Sequence, residues 1–258
     1  GAKPIFVNTD SARQFEPVMD DLKTKITSLT KGIIINSPSN PTGGVWSDEA
    51  VLRVLEIAET AGVWVFSDEC YEQLTYDRTY ISTAMLGENT EKVLTFQSCS
   101  KTYAMTGWRI GYTAGDEKVI KAMGKLQGQS TSCPSSIAQV AAIEALIGDQ
   151  SEVAIMRNVF KKRRDYIVTR LNEMNGVHCD TPGGAFYVFP DFSSYMGDDR
   201  NIQSSNDLSM YLLEQKAVVT VSGKAFGSDG NVRFSYAASD EDLARAMDLV
   251  EETLKELE

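Results

Sequence analysis

Ser98-Cys99-Ser100-Lys101-Thr102-Tyr103-Ala104-Met105-Thr106-Gly107-Trp108-Arg109-Ile110-Gly111 is the stretch on which the reading of this chain turns. It follows an apolar run at residues 93–96 that reads as a buried strand, so Lys101 stands on a loop of small residues just past a strand end. A lysine there can reach into a cleft, and a desolvated amine can form a Schiff base with an aldehyde. Two hydroxyls and Arg109, eight residues on, suit a dianionic phosphate. Taken by itself, Lys101 has a competing reading as an ordinary surface residue on a loop.

Outward from that stretch, short β-branched runs alternate with amphipathic helical patterns. Residues 5–7, 33–35, 63–66, 93–96 and 109–114 read as strands. Between the second and third, Ser47 caps a helix with Val51, Leu55 and Ala58 on one face, and Gly62 stops it. Strand–helix–strand repetition at this spacing gives an α/β architecture with a mostly parallel sheet. Residues 118 to about 173 read as helical, with no turn cluster longer than Gly148-Asp149-Gln150. After Gly176 come a strand at 185–189, a helix near 207–215, strands at 218–221 and 232–236, and a closing helix. That helix has Ser239 as N-cap and Asp242 three residues on, then Leu243, Met247, Val250, Leu254 and Leu257 on one stripe. The expected division is 1–150, part of a larger domain, and 151–258, a linking helix with a small C-terminal α/β domain.

Of 258 residues, 42% are hydrophobic and 24% charged, the composition of a globular chain. Lysine and arginine number 25 against 36 acids, and the net charge of −11 repels phosphate backbones, which argues against nucleic acid as a partner. The densest cationic run, Lys161-Lys162-Arg163-Arg164, reads as one solvated helical turn. Cys70, Cys99, Cys133 and Cys179 are scattered without a Cys-x-x-Cys pair, which fits free thiols in a reducing cytoplasm. One histidine, His178, is too little for a histidine metal site or a Ser–His–Asp triad; it reads as structural, and no metal is expected. Trp108 and the methionines read as core. Apolar runs stop after four or five residues, far short of a membrane span. Residues 1–7 resemble no signal peptide and open without methionine, as if part-way through a fold.

The segment around Lys101 resembles the pyridoxal-phosphate attachment pattern of class I aminotransferases at Ser98, Ser100, Lys101, Ala104, Met105, Gly107, Arg109, Ile110 and Gly111. Three further segments resemble that family in the same order. They are Asn36-Ser37-Pro38-Ser39-Asn40-Pro41-Thr42-Gly43, Ser67-Asp68-Glu69-Cys70-Tyr71 and Val232-Arg233-Phe234-Ser235-Tyr236. The resemblance is greatest to bacterial-type aspartate aminotransferases, aspartate/prephenate members included. It implies a fold type I transferase: a partial large domain plus the small C-terminal domain. The resemblance starts part-way through the family's large domain, so roughly the first third of a family chain is expected to be absent here.

The resemblance also implies roles. Lys101 would anchor pyridoxal 5'-phosphate and then act as acid and base in transamination. Asp68 would keep the pyridine nitrogen protonated, making the ring an electron sink. Tyr71 and Asn40 would bond the ring's phenolate oxygen. Ser98 and Arg109 would contact the cofactor phosphate, and Arg233, with Asn40, would hold the substrate carboxylate through its bidentate fork. Cys70 departs from the family pattern, where a small or aliphatic residue packs on the ring face; a buried cysteine can do the same. The peptide before Pro41 is expected to be cis. The implied partners are an amino acid, aspartate or similar, a 2-oxo acid and a second copy of the chain, in the cytoplasm without a membrane. Two other readings remain open: another enzyme of the fold, such as a carbon–sulfur lyase or cyclopropane-carboxylate synthase, and a truncated fragment that binds ligand without turnover.

Overall fold

The computed structural model describes residues 1–197 and 202–257. A two-residue antiparallel pair, β1 (Thr9–Asp10) with β2 (Glu16–Pro17), and the short helix α1 (Met19–Lys25) precede the main sheet. That sheet is built from β3 (Gly32–Asn36), β4 (Trp64–Asp68), β5 (Val93–Ser98) and β6 (Gly111–Ala114), in that spatial order. The first three are parallel, and β6 runs antiparallel beside β5. Between β3 and β4, α2 (Asp48–Ala61) makes the crossover. The Ser47 hydroxyl accepts from the Ala50 N–H at 3.2 Å, satisfying a first-turn donor, and Gly62 closes the helix at φ 66°. Val51, Val54, Leu55 and Ala58 of α2 pack on Ile35, Val65 and Val93, so one face of the sheet is a closed core.

After β5 come the single turn α4 (Cys99–Thr102), then α5 (Glu117–Ser130), α6 (Ser136–Ile147) and α7 (Ser151–Asn172); the one-turn α3 (Thr83–Leu86) lies earlier, before β5. A second, antiparallel sheet has the order β7 (Tyr187–Val188), β9 (Val232–Ser235), β8 (Val221–Ser222). It shares a core with α7, α8 (Ser205–Lys216) and α9 (Asp240–Leu257), in which Leu171, Val188, Leu208, Leu212, Val232 and Val250 are wholly buried. The capped stripe of α9 is as the sequence predicts. Ser239 and Asp242 bond each other, and Leu243, Met247, Val250 and Leu254 are buried, with Leu257 partly so.

Several expectations need correction, beginning with two strands that are shorter or displaced: β8 holds only residue 221 of the expected 218–221, and β6 begins at Gly111 rather than Arg109. Residues 5–7 form no strand: Ile5 and Phe6 lie exposed with no strand beside them. The helical region breaks at 131–135, longer than 148–150, where Ser132 takes a left-handed φ of 66° and Pro134 follows. Trp108 is not core; it is 45% exposed beside Ile137 and Val140, and Met85 and Met210 are also exposed. The run 161–164 is not a solvated turn, because Arg164 is 3% exposed and pairs with Asp77 and Asp165, while Arg163 pairs with Asp240. The cis peptide precedes Pro38, not Pro41. The turn at Asn40 is instead held by Asn36, whose side-chain oxygen accepts the Asn40 N–H at 2.9 Å, and by the Gly43 N–H on the Ser39 carbonyl at 2.9 Å.

Candidate functional site

Three strand ends and one loop bring the site together. The parallel register sets Asn36 opposite Asp68 at the ends of β3 and β4, and the Asn36 amide donates to the Asp68 carbonyl at 3.4 Å. The chain then turns, with the Cys70 N–H donating to the Asp68 carboxylate at 3.3 Å, and Tyr71 enters the interior at 3% exposure. Next, β5 ends in α4. The Ser98 hydroxyl accepts from the Ser100 N–H at 3.1 Å, and Cys99 anchors the turn against Met105 and Ala142 of α6. Lys101 is thereby fixed by its backbone while its side chain reaches two aromatic faces, 5.9 Å from the Tyr71 centroid and 5.5 Å from Phe186. Among the described residues it makes no hydrogen bond or ion pair. Ala104 and Arg109 both hold φ of 52°, left-handed backbone that costs on the order of 1 kcal/mol for a residue with a Cβ.

The loop Asn40-Pro41-Thr42-Gly43 docks backbone to backbone on the segment before β7. Gly43, at φ 69°, would place a Cβ 2.5 Å from Pro182 and 2.7 Å from the Tyr187 carbonyl, and the Gly184 N–H donates to its own carbonyl at 2.9 Å. Only glycine permits that approach. The docking sets Asn40 beside Arg233 of β9, whose Nη1 donates to the Asn40 amide oxygen at 2.7 Å. The Arg233 guanidinium lies between two rings, 4.6 Å from the Tyr187 centroid and 5.3 Å from Phe226. Its Nε is buried without a partner among the described residues. Finally, the Tyr187 hydroxyl lies 3.0 Å from that of Tyr71.

The contacts form a circuit: Lys101 to Tyr71, Tyr71 to Tyr187, Tyr187 to Arg233, Arg233 to Asn40, then through Asn36 to Asp68 and back by Cys70 to Tyr71. Six residues picked out in the sequence, Asn40, Asp68, Cys70, Tyr71, Lys101 and Arg233, share this site. Ser98 and Arg109 stand at the margin. Ser98 caps α4, and the exposed Arg109 donates to the Thr106 carbonyl at 2.9 Å. Burial raises the Tyr71 hydroxyl well above its ordinary range, so it stays protonated at neutral pH. Burial, then the Asp68 carboxylate, pushes the Cys70 thiol up to about 12. Sequence reasoning missed Tyr187, Phe186, Phe226 and Asn36. The signal for the first two was present in Gly183-Gly184-Ala185-Phe186-Tyr187, a flexible pair leading aromatics into a strand.

Among the described residues no helix is long and apolar enough to cross a membrane, and no group of metal-ligating side chains occurs. Residues 1–250 match the family described as "Aminotransferase class I and II". The chain is 42% identical to the aspartate/prephenate aminotransferase of Cereibacter sphaeroides, over 95% of this chain and 63% of that protein. It is 39% identical to the aspartate aminotransferase of Bacillus subtilis, over 100% of this chain and 64% of the relative. It superposes on the crystal structure of the Rhizobium meliloti aspartate aminotransferase with a TM-score of 0.93 at 37% identity, covering 98% of this chain and 65% of the other. The chain therefore spans less than two thirds of the length of these relatives.

Proposed function

The chain belongs to the class I and II aminotransferases and carries part of their fold type I architecture, and from that premise we propose that it holds the lysine, ring-binding and carboxylate-binding residues of a pyridoxal-phosphate-dependent aminotransferase. The reaction would move an amino group between an amino acid, aspartate or a similar one, and a 2-oxo acid. The observation that carries this reading is the circuit itself, in which an unpaired lysine amine, a strand-end carboxylate, a buried phenol and an arginine with an unsatisfied Nε are linked through a chain of side-chain and backbone contacts.

These donors fit pyridoxal 5'-phosphate and a carboxylate substrate. When bound, the cofactor supplies an electron-withdrawing ring that stabilises charge at the substrate Cα. Lys101 Nζ would hold the cofactor and would take up the proton that leaves the substrate Cα. Asp68 holds the proton on the ring nitrogen. Tyr71, protonated because it is buried, donates its hydroxyl hydrogen to the ring oxygen. Arg233 and Asn40 orient the substrate carboxylate, and the orphaned Nε is a donor that carboxylate can satisfy. Cys70, uncharged at neutral pH, packs beside Asp68 as a small apolar group. Ser98 and Arg109 serve the phosphate, with Arg109 leaving the Thr106 carbonyl to do so. Residues 1–150 act as part of the cofactor-binding domain and 151–258 as the linking helix and small domain. The working protein is a cytoplasmic homodimer, a reading supported by four free cysteines and by the apolar face of α6.

The test is incubation of the chain with excess pyridoxal 5'-phosphate, borohydride trapping and mass spectrometry. The expected result is a single modified peptide containing Lys101, lost in Lys101→Ala, with any amino transfer from aspartate to 2-oxoglutarate lost in the same variant. Trapping at other lysines, or turnover in Lys101→Ala above a trace, would overturn the reading.

A further inference from the structure

Tyr187 is one of the two buried residues of β7, and the register decides what it can touch. It pairs with Ser235 across the antiparallel ladder, so Arg233, two residues before Ser235, lies diagonally on the same face. Diagonal neighbours are within reach of long side chains. The Tyr187 ring accordingly lies 4.6 Å beneath the Arg233 guanidinium, while its hydroxyl extends the other way, 3.0 Å from that of Tyr71. Asn36 also bridges the two sides, through the Asn40 N–H and the Asp68 carbonyl, but Tyr187 does so through the Tyr71 hydroxyl and the Arg233 guanidinium themselves.

We propose that Tyr187 is a positioning residue that ties the two ends of the site together, donating its hydroxyl hydrogen to the Tyr71 oxygen and supporting Arg233 with its ring. A hydroxyl has one hydrogen to give. When Tyr187 donates to Tyr71, the Tyr71 hydrogen remains available for an acceptor in the cleft, and the bond received makes it a stronger donor. The ring face holds the guanidinium by a cation–π contact, and Asn40 then fixes its rotation. The hydroxyl thus acts at one end of the site and the ring at the other, which makes the two roles separable by substitution.

This inference rests on the reading of Lys101, Asp68 and Tyr71 as the cofactor site, and the test separates the two. The whole chain and its Tyr187→Phe and Tyr187→Leu variants are saturated with pyridoxal 5'-phosphate. The pH midpoint of the bound cofactor's absorbance change and the dissociation constant for succinate are then measured by absorbance titration. A donor to the ring oxygen favours the more negative form, so weakening it raises the midpoint. Tyr187→Phe is expected to raise the midpoint by about half a pH unit with succinate binding within about twofold, because the ring remains. Tyr187→Leu is expected to raise the midpoint similarly and to weaken succinate about five- to tenfold. Tyr187→Phe with the unchanged midpoint, or Tyr187→Leu with unchanged succinate binding, overturns the inference while the cofactor reading stands. Absence of the cofactor band in the unsubstituted chain overturns both.

Discussion

Cys70 lies between the two residues assigned to the cofactor ring, and its surroundings decide its chemistry. Burial acts first and the neighbouring carboxylate of Asp68 second, both against the thiolate, while Lys101 acts weakly the other way. With the thiol held up at about 12, roughly one molecule in ten thousand carries the thiolate at pH 8. Cys179 is held at about 12 by burial, Cys99 is raised by the same cause, and Cys133 is exposed. Iodoacetamide at pH 8 is therefore expected to alkylate Cys133 first in the folded chain, with the other three following only on unfolding. Peptide mass spectrometry over a time course reads this directly. Labelling of Cys70 as fast as Cys133 would mean that its thiol is ionised in the site, contrary to the packing role assigned to it.

At the scale of elements, α7 is fastened to the strand-end loops chiefly by Arg164, with Lys161 beside it on Asp77. Arg164 bonds the Asp77 carboxylate, Asp165 and the Pro182 carbonyl, and lies 5.0 Å from the Tyr76 ring centroid. Arg164→Met should keep most of the packing and lose the bonds, destabilising the chain by about 2 kcal/mol in urea unfolding with little change in slope. The bond to Arg164 lowers the Asp77 pKa in the folded chain. The pair's contribution is thus present above the unfolded carboxylate value, about 3.9, and is lost as pH falls through the lowered folded value. The unsubstituted chain should lose stability over that acid window more steeply than Arg164→Met. What makes Arg164 matter was not legible in the sequence, since its partners outside α7 are 87 and 18 residues away. By contrast α2 and α9 were legible, because the capping residue and the apolar stripe lie within a few turns of one another in the sequence, and Gly62 stops α2. The same divide runs through the site. Lys101, Asp68, Tyr71, Asn40 and Arg233 stand in local motifs, whereas Tyr187 acquires its place only from the pairing of β7 with β9. The cis bond at Pro38 rather than Pro41 likewise depends on how the loop docks, which neighbouring residues do not state.

For the whole molecule, the decisive feature is an apolar surface that the chain itself does not cover. Of α6 only Ala138 and Ala142 are buried, while Ile137, Val140, Ile143 and Ile147 are 72%, 67%, 56% and 78% exposed. Their spacing of three, three and four residues puts them along one helical stripe, and Trp108 adjoins it. Leu126 of α5 and Ile34 of β3 are 73% and 75% exposed as well. Contiguous apolar patches above a few hundred Å² are uncommon on isolated soluble chains and drive association. The opposing force is the net charge of −11, which repels a second copy but is screened within about 8 Å at physiological salt. The chain is therefore expected to self-associate between about 1 and 100 µM, more strongly as salt rises, because salt weakens the repulsion and leaves the apolar contact intact. Sedimentation velocity across that range is the measurement. Val140→Glu with Ile143→Glu should return the chain to a monomer while leaving its circular dichroism unchanged, since neither side chain is buried. A monomer at every concentration, or association that weakens with salt, would show that this face is not what brings copies together.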